Sequence, residues 1–486
     1  MNRRWLKRLA AVLAVVSALG AAALLVAFGN WYTTRQTDAR RLHEALVQLD
    51  ADDPDWHVVG VVKAHNGAIP ADDAQNAGMV AMNALALRPA AWKTRQTAIN
   101  TKVIPDMERD EDRLPHDDAF CSLYEVFLES GDAYRAALAT RRHPTGGLPF
   151  YFAEPNPFDT LVPNLQKLRD VRDVDGLLKD YATVEAYFGR GDEALRAADA
   201  SLHFTQVTLA TEPTLISQLV RMAGCGIAVD SARQTLAWTE PTEGLADLQA
   251  TFARAATVDG ITPALRGERA GIMRIYDNVR AGALTIDVLN NPMAKPPATW
   301  PDRLEQRYKA RNVVRDQAES LRLVNAFLEA AKLDGPARRT ACADVQAGVS
   351  REAASLLPAV NKCVEADDRC KARLLCASVG LACERYRRLN GRWPATLAEI
   401  PTSILPAIPN DPFKAQPLSY AVHDGGVVVF SVGPDGTNTA AIPNISPLAR
   451  QCEFRLWNPE ARRRLPTPRP EPDIDPDDLF DKLGEP

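Results

Sequence analysis

The sequence LSYAVHDGGVVVFSV occupies residues 418–432 and predicts two β-strands joined by a tight turn. At its centre, Asp424-Gly425 is a dipeptide that type I′ hairpin turns favour, because both central residues of such a turn need positive φ. The flanking runs, 418–423 and 426–432, are rich in the β-branched and aromatic side chains that favour strands. The segment therefore predicts an antiparallel β-hairpin.

A helix before the hairpin and a strand after it complete a small module. Residues 372–389 carry apolar side chains at helical spacing, and Asn390-Gly391 supplies a left-handed stop. Residues 452–457 alternate with the period of a strand. We therefore predict a small α+β module with an antiparallel sheet at residues 372–458.

Several motifs of this module follow one another in a recognisable order: Asn390-Gly391-Arg392-Trp393-Pro394, Pro409-Asn410-Asp411-Pro412-Phe413, Pro417-Leu418-Ser419-Tyr420 and Ser431-Val432-Gly433-Pro434-Asp435-Gly436. In this order they resemble the globular domain of type II secretion major pseudopilins, which are type IV pilin-like proteins. The resemblance covers residues 372–457 and implies a helix, ending near Tyr386, that packs on a small antiparallel sheet. The rest of the chain resembles no family that we can name.

The chain also departs from the pseudopilin pattern. A pseudopilin carries its apolar assembly helix directly before the globular domain, with a processing site and a glutamate just inside that helix. Here the apolar segment lies at the other end of the chain, after Trp5-Leu6-Lys7-Arg8, and has no such glutamate. We therefore do not expect a processed pilus subunit.

The resemblance raises the question of calcium in the loop after Ser431–Gly436. Calcium takes about six to eight oxygen ligands, several of them carboxylates. Between Gly433 and Gln451 the only carboxylate is Asp435, helped at most by Asn438, Asn444 and backbone carbonyls. We therefore expect Asp435-Gly436 to form a simple turn without calcium, and we predict no cofactor.

Residues 37–371 are predicted to form an irregular multi-helix body. Apolar residues recur there at helical spacing between short breaks rich in Pro, Gly and Asp. Gly189 and Gly191 divide residues 184–204 into a helical hairpin, another helix begins near Leu215, and residues 302–331 form one long amphipathic helix. No second copy of the hairpin follows at a period of about 34 residues, so a regular repeat array is not expected. The fold is therefore predicted to be mainly α, and the helices of the body stack irregularly, in a solenoid-like way at most.

The N-terminus has the pattern of a membrane anchor. Residues 1–8 carry Arg3, Arg4, Lys7 and Arg8, and residues 9–28 contain no charged side chain. A helix of that length spans about 30 Å, the thickness of a bilayer core. Trp31 and Tyr32 follow where an interfacial aromatic belt would lie. We predict a cytoplasmic basic segment at 1–8 and a transmembrane helix at 9–28.

A cleaved signal peptide is the alternative interpretation of this N-terminus. Residues 21–23 are alanines, and small residues are typical of a cleavage site. The apolar region of a signal peptide is usually about 7 to 15 residues long, and this run is longer. Both interpretations keep the basic segment inside and export the residues after Asn30. The predicted location is the inner, cytoplasmic membrane, single-pass, with the body in the periplasm or outside the cell.

Composition excludes a chain that is disordered overall, a collagen-like chain and a multi-span membrane protein. The 486 residues are 46% hydrophobic and 24% charged, with a formal net charge of −5, which are average values for globular proteins. A strongly basic face for nucleic acid is not indicated.

Residues 462–486 hold six prolines and a strongly acidic end, so we predict a disordered tail there.

The eight cysteines include no C-x-x-C pair, which removes the usual support for a zinc ribbon or a thioredoxin-type motif. Four of them lie between Cys363 and Cys383, where an oxidising exterior would permit disulfides. Residues seven apart on one helix lie about 10 Å from each other, so Cys376 and Cys383 cannot pair if the segment is helical. The competing interpretation treats most of the cysteines as small buried hydrophobic residues.

The sequence shows no recognisable catalytic motif. The sequence has no G-x-S-x-G, H-E-x-x-H, Walker or G-x-G-x-x-G motif in a suitable context. His43-Glu44 lacks a second histidine, and Gly224-Cys225-Gly226 is interpreted as close helix packing rather than a nucleotide loop. Weaker candidates are the following: His116-Asp117-Asp118 as a metal loop or a solvated turn, His57 and His65 as core or surface imidazoles, and Arg266-Gly-Glu-Arg269 as a charged face, an ion pair or an active carboxylate.

We therefore predict no catalytic, cofactor-binding or metal residues. The predicted function is a membrane-anchored exported protein that is not an enzyme and mediates protein contacts, in an envelope or secretion-associated assembly. Its partners would be the lipid bilayer, through residues 9–28, and another protein, but not nucleic acid. The alternative is an exported hydrolase whose active-site residues are too scattered in sequence to recognise.

Overall fold

The computed structural model describes residues 3–90, 92–95, 112–152, 161–289, 299–348, 359–423, 425–436 and 452–466, together with positions 154, 156, 159, 291 and 294. The side chains of residues 3–16, 18, 161 and 162 lie outside this described part. The described helices are α1 (Arg3–Asp52), α2 (Val58–Gly67), α3 (Ala77–Ala86), α4 (Asp117–Glu129), α5 (Gly131–Ala139), α6 (Leu161–Tyr187), α7 (Gly191–Leu209), α8 (Leu215–Trp238), α9 (Leu245–Ala255), α10 (Ile261–Arg280), α11 (Trp300–Lys309), α12 (Val313–Ala331), α13 (Gly335–Ala347) and α14 (Val360–Asn390). The mainly helical prediction is confirmed.

The predicted sheet is confirmed as three antiparallel strands in the order β1-β2-β3, formed by Ser419–His423, Gly426–Phe430 and Glu453–Trp457. In the register, Tyr420 lies opposite Val429, and Val428 lies opposite Arg455. Gly425, at the turn of the hairpin, has φ of +92°, a conformation that glycine adopts without steric cost. Strand β2 is buried along its whole length, and α14 packs against β2 and β3.

The helical body is arranged around α8. This helix packs against α6, α7 and α14, and its buried residues lie on several sides, as expected for a helix in the interior. The hairpin of α6 and α7 is confirmed, with Gly189 at φ of +82° between the two helices. The helix predicted to begin near Leu215 is also confirmed.

Two helix boundaries differ from the prediction. The single helix expected at residues 302–331 is two helices, α11 and α12, separated by a 3-10 turn at Ala310–Asn312. The break allows α12 to bury Leu321, Val324 and Phe327, whereas none of the fully described side chains of α11 is buried. The helix predicted from Ala372 begins twelve residues earlier, at Val360, because its first turns bury Val360 and Val364 against the body.

One hydrophobic core extends through the body and the sheet. The same cluster of buried residues contains Leu49 of α1, Phe252 of α9, Phe327 of α12, and Val427 and Phe454 of the sheet. The domain boundary predicted between residues 371 and 372 falls inside α14, which packs against α8, α9 and α13. The two predicted units therefore share a helix and a core.

The expectation of a disordered tail from Arg462 was wrong for residues 462–466, which contact the body. Arg462 is buried and donates a hydrogen bond to the carbonyl of Thr239 at 2.8 Å. The backbone N–H of Arg463 donates to Ala237, and the carbonyl of Arg464 accepts from Leu114 at 2.8 Å. These partners come from distant parts of the chain, which composition alone does not reveal. Residues 467–486 lie outside the described part.

Helix α1 has two different halves. Leu42 and Leu49 are buried, and α1 packs against α12. Towards the N-terminus, described side chains such as Leu24, Leu25 and Val26 are exposed. Among the described residues, no helix is both long and apolar enough to cross a membrane. Residues 9–16 and 18 of the predicted span have side chains outside that part of the chain, so the span stays a prediction.

Candidate functional site

A cluster of buried charge lies where α8, α13 and α14 meet. Asp367 and Asp368 are consecutive residues of α14, and each has a side chain only 1% exposed. Asp367 accepts from Arg221 of α8 at 3.3 Å and from Arg338 of α13 at 2.9 Å. Lys371 lies 2.9 Å from the same carboxylate. Two carboxylates and several cations from three helices therefore form one buried ionic centre.

Arg338 also donates to Asp368, whose second oxygen accepts from Arg339 at 3.1 Å. All four oxygens of the two carboxylates thus have a cationic partner. Buried charges remain ionised only when they are paired in this way, and the loss of one partner is costly. The arrangement holds the three helices together.

The ionic centre extends to the loop before the sheet. Arg339 donates to the carbonyls of Pro412 and Phe413 at 3.0 and 2.8 Å, and its guanidinium lies 4.6 Å from the centre of the Phe413 ring. In the same loop, Asp411 is fully buried and accepts hydrogen bonds from the backbone N–H groups of Phe413 and Val432, both at 2.9 Å. The loop is therefore fixed from both sides.

The pKa values in the ionic centre follow from burial and charge. Burial raises the pKa of Asp367, but the positive charges of Lys371, Arg338 and Arg221 lower it by more, so its net pKa is below the ordinary value. For Asp368, burial outweighs the attraction of Arg338 and the pKa is raised. The pKa of Asp367 therefore lies below its ordinary value and that of Asp368 above it, although the two residues are neighbours in the chain.

A second buried carboxylate, Asp175 of α6, accepts hydrogen bonds from neutral hydroxyl groups. Ser201 and Thr205 of α7 donate to it at 2.8 and 3.1 Å. Burial raises the pKa of Asp175 to about 7, even though these two hydroxyls lower it. Gly224 of α8 allows this approach, because a Cβ atom there would lie 2.5 Å from Thr205 Oγ1 and 2.7 Å from Asp175 Oδ2. The prediction that Gly224 marks close helix packing is confirmed.

The cysteines are free thiols, and all except Cys121 are buried. The interpretation of most of them as small buried residues is confirmed. The side chain of Cys225, in α8, forms a hydrogen bond with that of Cys370 in α14 and accepts another from Gln206 at 3.0 Å. Cys376 and Cys383 both lie on α14 and are unpaired, as their spacing on one helix requires.

A further ionic cluster joins α14 to the chain after the sheet. Glu384 is fully buried and accepts from Arg462 at 3.0 Å and from Arg387 at 2.8 Å. Burial raises the pKa of Glu384, but these arginines and Arg388 lower it to about 2. Trp457 of β3 also donates its indole N–H to Asp112 at 3.1 Å.

Next to this cluster lies an open depression of about 320 Å³, lined by Gly189, Trp238, Thr239, Glu240, Pro459, Arg462 and Arg463. Its one carboxyl group, Glu240, lies 2.8 Å from Arg387. Glycoside and peptide hydrolysis generally need a pair of acid and base groups or an activated nucleophile. Among the described residues that line this depression, no such pair is present.

The three histidines named in the sequence analysis have different environments. His65 is buried, with its ring nitrogens 3.2 Å from the carbonyls of Thr211 and Leu148. His57 stacks on Trp56 with 4.0 Å between ring centres, and His43 is exposed on α1. His65 therefore belongs to the core, and His43 and His57 to the surface.

The candidate metal loop is the start of a helix. His116 is the residue before α4, and Asp117 and Asp118 occupy its first turn, where negative charge is favourable. Among the described residues, no group of three or more His, Cys, Asp or Glu side chains is placed to hold a metal ion. The Asp435-Gly436 turn is observed, with Gly436 N–H donating to Gly433 at 3.2 Å. Residues 437–451, the rest of the loop that was considered for calcium, lie outside the described part.

The Arg266–Arg269 segment forms an internal ion pair, one of the alternatives left open by the sequence. Both arginines donate to Asp53, just after α1, and Arg269 also donates to Asn325 of α12 at 2.9 Å. Between them, Glu268 accepts from the backbone N–H of Leu215 at 2.9 Å, and burial raises its pKa. Glu268 supports the start of α8.

Sequence reasoning missed the ionic centre itself. The consecutive pair Asp367-Asp368 and the pair Arg338-Arg339 are visible in the sequence, but such charges usually lie on solvated surfaces. A usable signal was their position: Asp367 and Asp368 lie one turn or less from Val364 and Cys370, which are buried on the same helix. Comparison of this chain with models of protein families, with curated proteins and with solved structures gave no match.

Proposed function

We propose that this protein is a membrane-anchored, exported, non-catalytic protein that mediates contacts with other proteins. The observation that carries the proposal is the division of α1. Leu42 and Leu49 are buried in the body, whereas the same helix continues N-terminally with exposed apolar side chains, among them Leu19, Leu24, Leu25, Val26 and Phe28. Apolar surface of this extent is unfavourable in water and is normally covered by a partner or a bilayer.

The sequence supports a bilayer as the cover. Residues 9–28 lack charge, and the four basic residues before them favour a cytoplasmic N-terminus. Trp31 and Tyr32 are exposed at the point where an aromatic belt would meet the headgroups. The anchor would then cross the inner membrane once, and the body from residue 37 onwards would lie in the periplasm or outside the cell.

Two features support a role in protein contacts: the C-terminal module and the mutual pairing of the buried charges in the ionic centre. The buried acidic and basic groups of the ionic centre satisfy one another, which suits a rigid scaffold. Two of the pseudopilin-like motifs meet at Asp411, which supports an envelope or secretion-associated assembly. Strand β1 lies at one edge of the sheet and exposes Val422, a position open to another polypeptide.

Membrane fractionation of the full chain tests the anchor. We expect the protein to stay in the membrane fraction after high-salt and carbonate washing, with Met1 still attached. The double variant Leu19→Arg/Leu24→Arg should lose this retention, since an arginine at the centre of a span, as at position 19, costs about 2.5–3.5 kcal/mol on insertion scales, and the second arginine shortens the remaining apolar run.

The matched control is Thr33→Arg/Thr37→Arg, which adds the same charge at exposed positions of the same helix after the apolar run. It should fractionate like the wild type. A soluble mature form starting near Ala23 or Asn30 would instead favour a cleaved signal peptide and overturn the anchor.

In-cell photo-crosslinking tests the protein contact. A photoreactive residue replaces Val422 on β1 or, as the control, Val59 on α2, which is also exposed. We expect a discrete adduct at Val422, identified by mass spectrometry as an envelope or secretion protein, and none at Val59. Equal labelling at both positions, or adducts with abundant unrelated proteins alone, would contradict a specific contact.

A further inference from the structure

Helix α11 is a short helix whose side chains are mostly exposed. It begins with a capping box, in which the Thr299 side chain accepts from Asp302 N–H and the Asp302 carboxylate accepts from Thr299 N–H. Its packing is with the 3-10 turns Ile286–Leu289 and Ala310–Asn312. The helix is therefore well started, although none of its side chains, all of which are described, is buried.

One side of α11 is apolar and exposed. Trp300, Leu304 and Tyr308 are 73%, 54% and 65% exposed. Residues four apart on a helix lie nearly above one another, so these three side chains form one stripe. Large aromatic and aliphatic side chains grouped in this way are unusual on a protein surface that faces only water.

The same side of α11 is basic. By helical spacing, Arg303 and Arg307 lie beside the apolar stripe, and both are exposed. Arg311, in the following 3-10 turn, places its guanidinium 4.0 Å from the centre of the Tyr308 ring. The stripe is therefore accompanied by three arginines.

The acidic residues of α11 have partners within the protein. Asp302 belongs to the capping box, and Glu305 lies 2.9 Å from Lys309. Lys309 and Gln306 donate to Asp287 in the neighbouring turn, Lys309 at 3.1 Å, so this side of the helix is the one held by the protein. The exposed side thus combines tryptophan, leucine and tyrosine with cationic groups.

We propose that α11 lies on the surface of an anionic bilayer, with Trp300, Leu304 and Tyr308 in the interfacial layer and the three arginines on lipid phosphates. Tryptophan and tyrosine are enriched at membrane interfaces, and amphipathic helices with a basic polar side bind anionic lipid. Helix α11 joins through a single 3-10 turn to α12, the helix that packs against α1. The inference rests on the proposed anchor only for bringing a bilayer close to the body.

Amide hydrogen exchange on the full chain tests the proposal. The protein is placed in nanodiscs of phosphatidylcholine alone or of phosphatidylcholine with phosphatidylglycerol. Exchange across α11 is expected to slow in the anionic discs relative to the neutral ones, and the difference should be lost at high salt, which screens the attraction of exposed charges. This measurement on the wild type requires no variant to fold.

The variant Arg303→Glu/Arg307→Glu should lose the slowing. Its control is Arg315→Glu/Arg322→Glu, the same charge change at exposed positions of α12, which should keep it. Equal exchange of α11 in both kinds of disc would overturn the proposal. Slowing that instead rises with protein concentration and ignores lipid charge would identify a second copy as the occupant and would also overturn it.

The anchor and this inference fail separately. If carbonate washing releases the chain, the anchor is wrong, and the same exchange measurement is made on the released full chain with anionic or neutral vesicles added. Slowing of α11 by the anionic vesicles alone would then still support the interfacial helix. No slowing by either kind of vesicle would overturn it.

Discussion

Ser431 donates a hydrogen bond from its hydroxyl to Asp411 Oδ1 at 2.8 Å, and both side chains are fully buried. The other oxygen of the carboxylate accepts from Val432 N–H at 2.9 Å. One carboxylate therefore ties the end of β2 to the loop that precedes the sheet. The ionic centre holds the same loop through Arg339, so the sheet and the helical body are linked by a chain of polar contacts.

Asp411→Ala should destabilise the protein more than Ser431→Ala. The first change leaves the buried N–H groups of Phe413 and Val432 without their acceptor, and each such loss costs about 1–3 kcal/mol. The second change removes one donor to Asp411 and the acceptor of a single backbone N–H, that of Gly433. Ser419→Ala, at the partly exposed start of β1, is the control and should have little effect. Thermal unfolding of the full chain measures the order, and an equal midpoint for Asp411→Ala and wild type would contradict it.

Arg338→Met should be strongly destabilising, by about 3–5 kcal/mol, because it leaves two buried carboxylates short of a cation. The comparison is Arg369→Met, which removes an arginine from a partly exposed pair with Glu365 on α14 and should cost about 1 kcal/mol or less. Denaturant unfolding midpoints give both values. Similar losses for the two variants would show that the buried position of Arg338 has no special weight.

The raised pKa of Asp175 predicts a pH dependence of stability. Burial lifts this pKa to about 7, so between the unfolded value and pH 7 the folded state holds a proton that the unfolded state has lost. The contribution of Asp175 to the free energy of unfolding is fully present below the unfolded pKa. It falls by up to about 1.4 kcal/mol per pH unit as the pH rises towards 7. Asp175→Asn keeps the shape of the side chain but cannot ionise. The stability of this variant minus that of the wild type should therefore be larger at pH 8 than at pH 5. Thermal midpoints at the two pH values check this, and parallel profiles would disprove it.

Gly224→Ala should destabilise the packing of α6, α7 and α8. The new Cβ would lie 2.5 Å from Thr205 Oγ1, and overpacking of this kind costs about 1–3 kcal/mol. Gly176→Ala is a matched control within α6, because a Cβ there meets nothing within 4 Å. The control should be neutral or more stable by up to about 1 kcal/mol, through helix propensity. The prediction fails if the two variants shift the unfolding midpoint in the same direction.

Thiol labelling should distinguish Cys121 from the other cysteines. Of the eight, only Cys121 is exposed, so the folded reduced protein should take up one maleimide and the unfolded protein eight. Intact mass spectrometry counts the adducts. The Cys121→Ser variant should take up none while folded, and rapid labelling of several native thiols would show that α14 opens readily.

Local sequence signals were sufficient where neighbours in the chain make the structure. The Asp424-Gly425 turn predicted the hairpin, because positive φ is a property of a few residues. Gly189 and Gly191 predicted the break between α6 and α7 for a similar reason. The spacing of apolar residues predicted helices, although it joined α11 to α12, since periodicity does not register a short 3-10 turn between two helical runs.

The sequence by itself determined the helical character of the body, the three-stranded sheet and the absence of charge in residues 9–28, because each of these depends on residues close together in the chain. Only the tertiary structure decided that Asp367 and Asp368 meet Arg221 and Arg338, and that Arg462 reaches Glu384. Those pairs join residues up to 146 positions apart, and whether a charged side chain is buried depends on which helices pack over it. These charged residues therefore have the sequence pattern of a solvated surface, but helix packing places them in the interior of the protein.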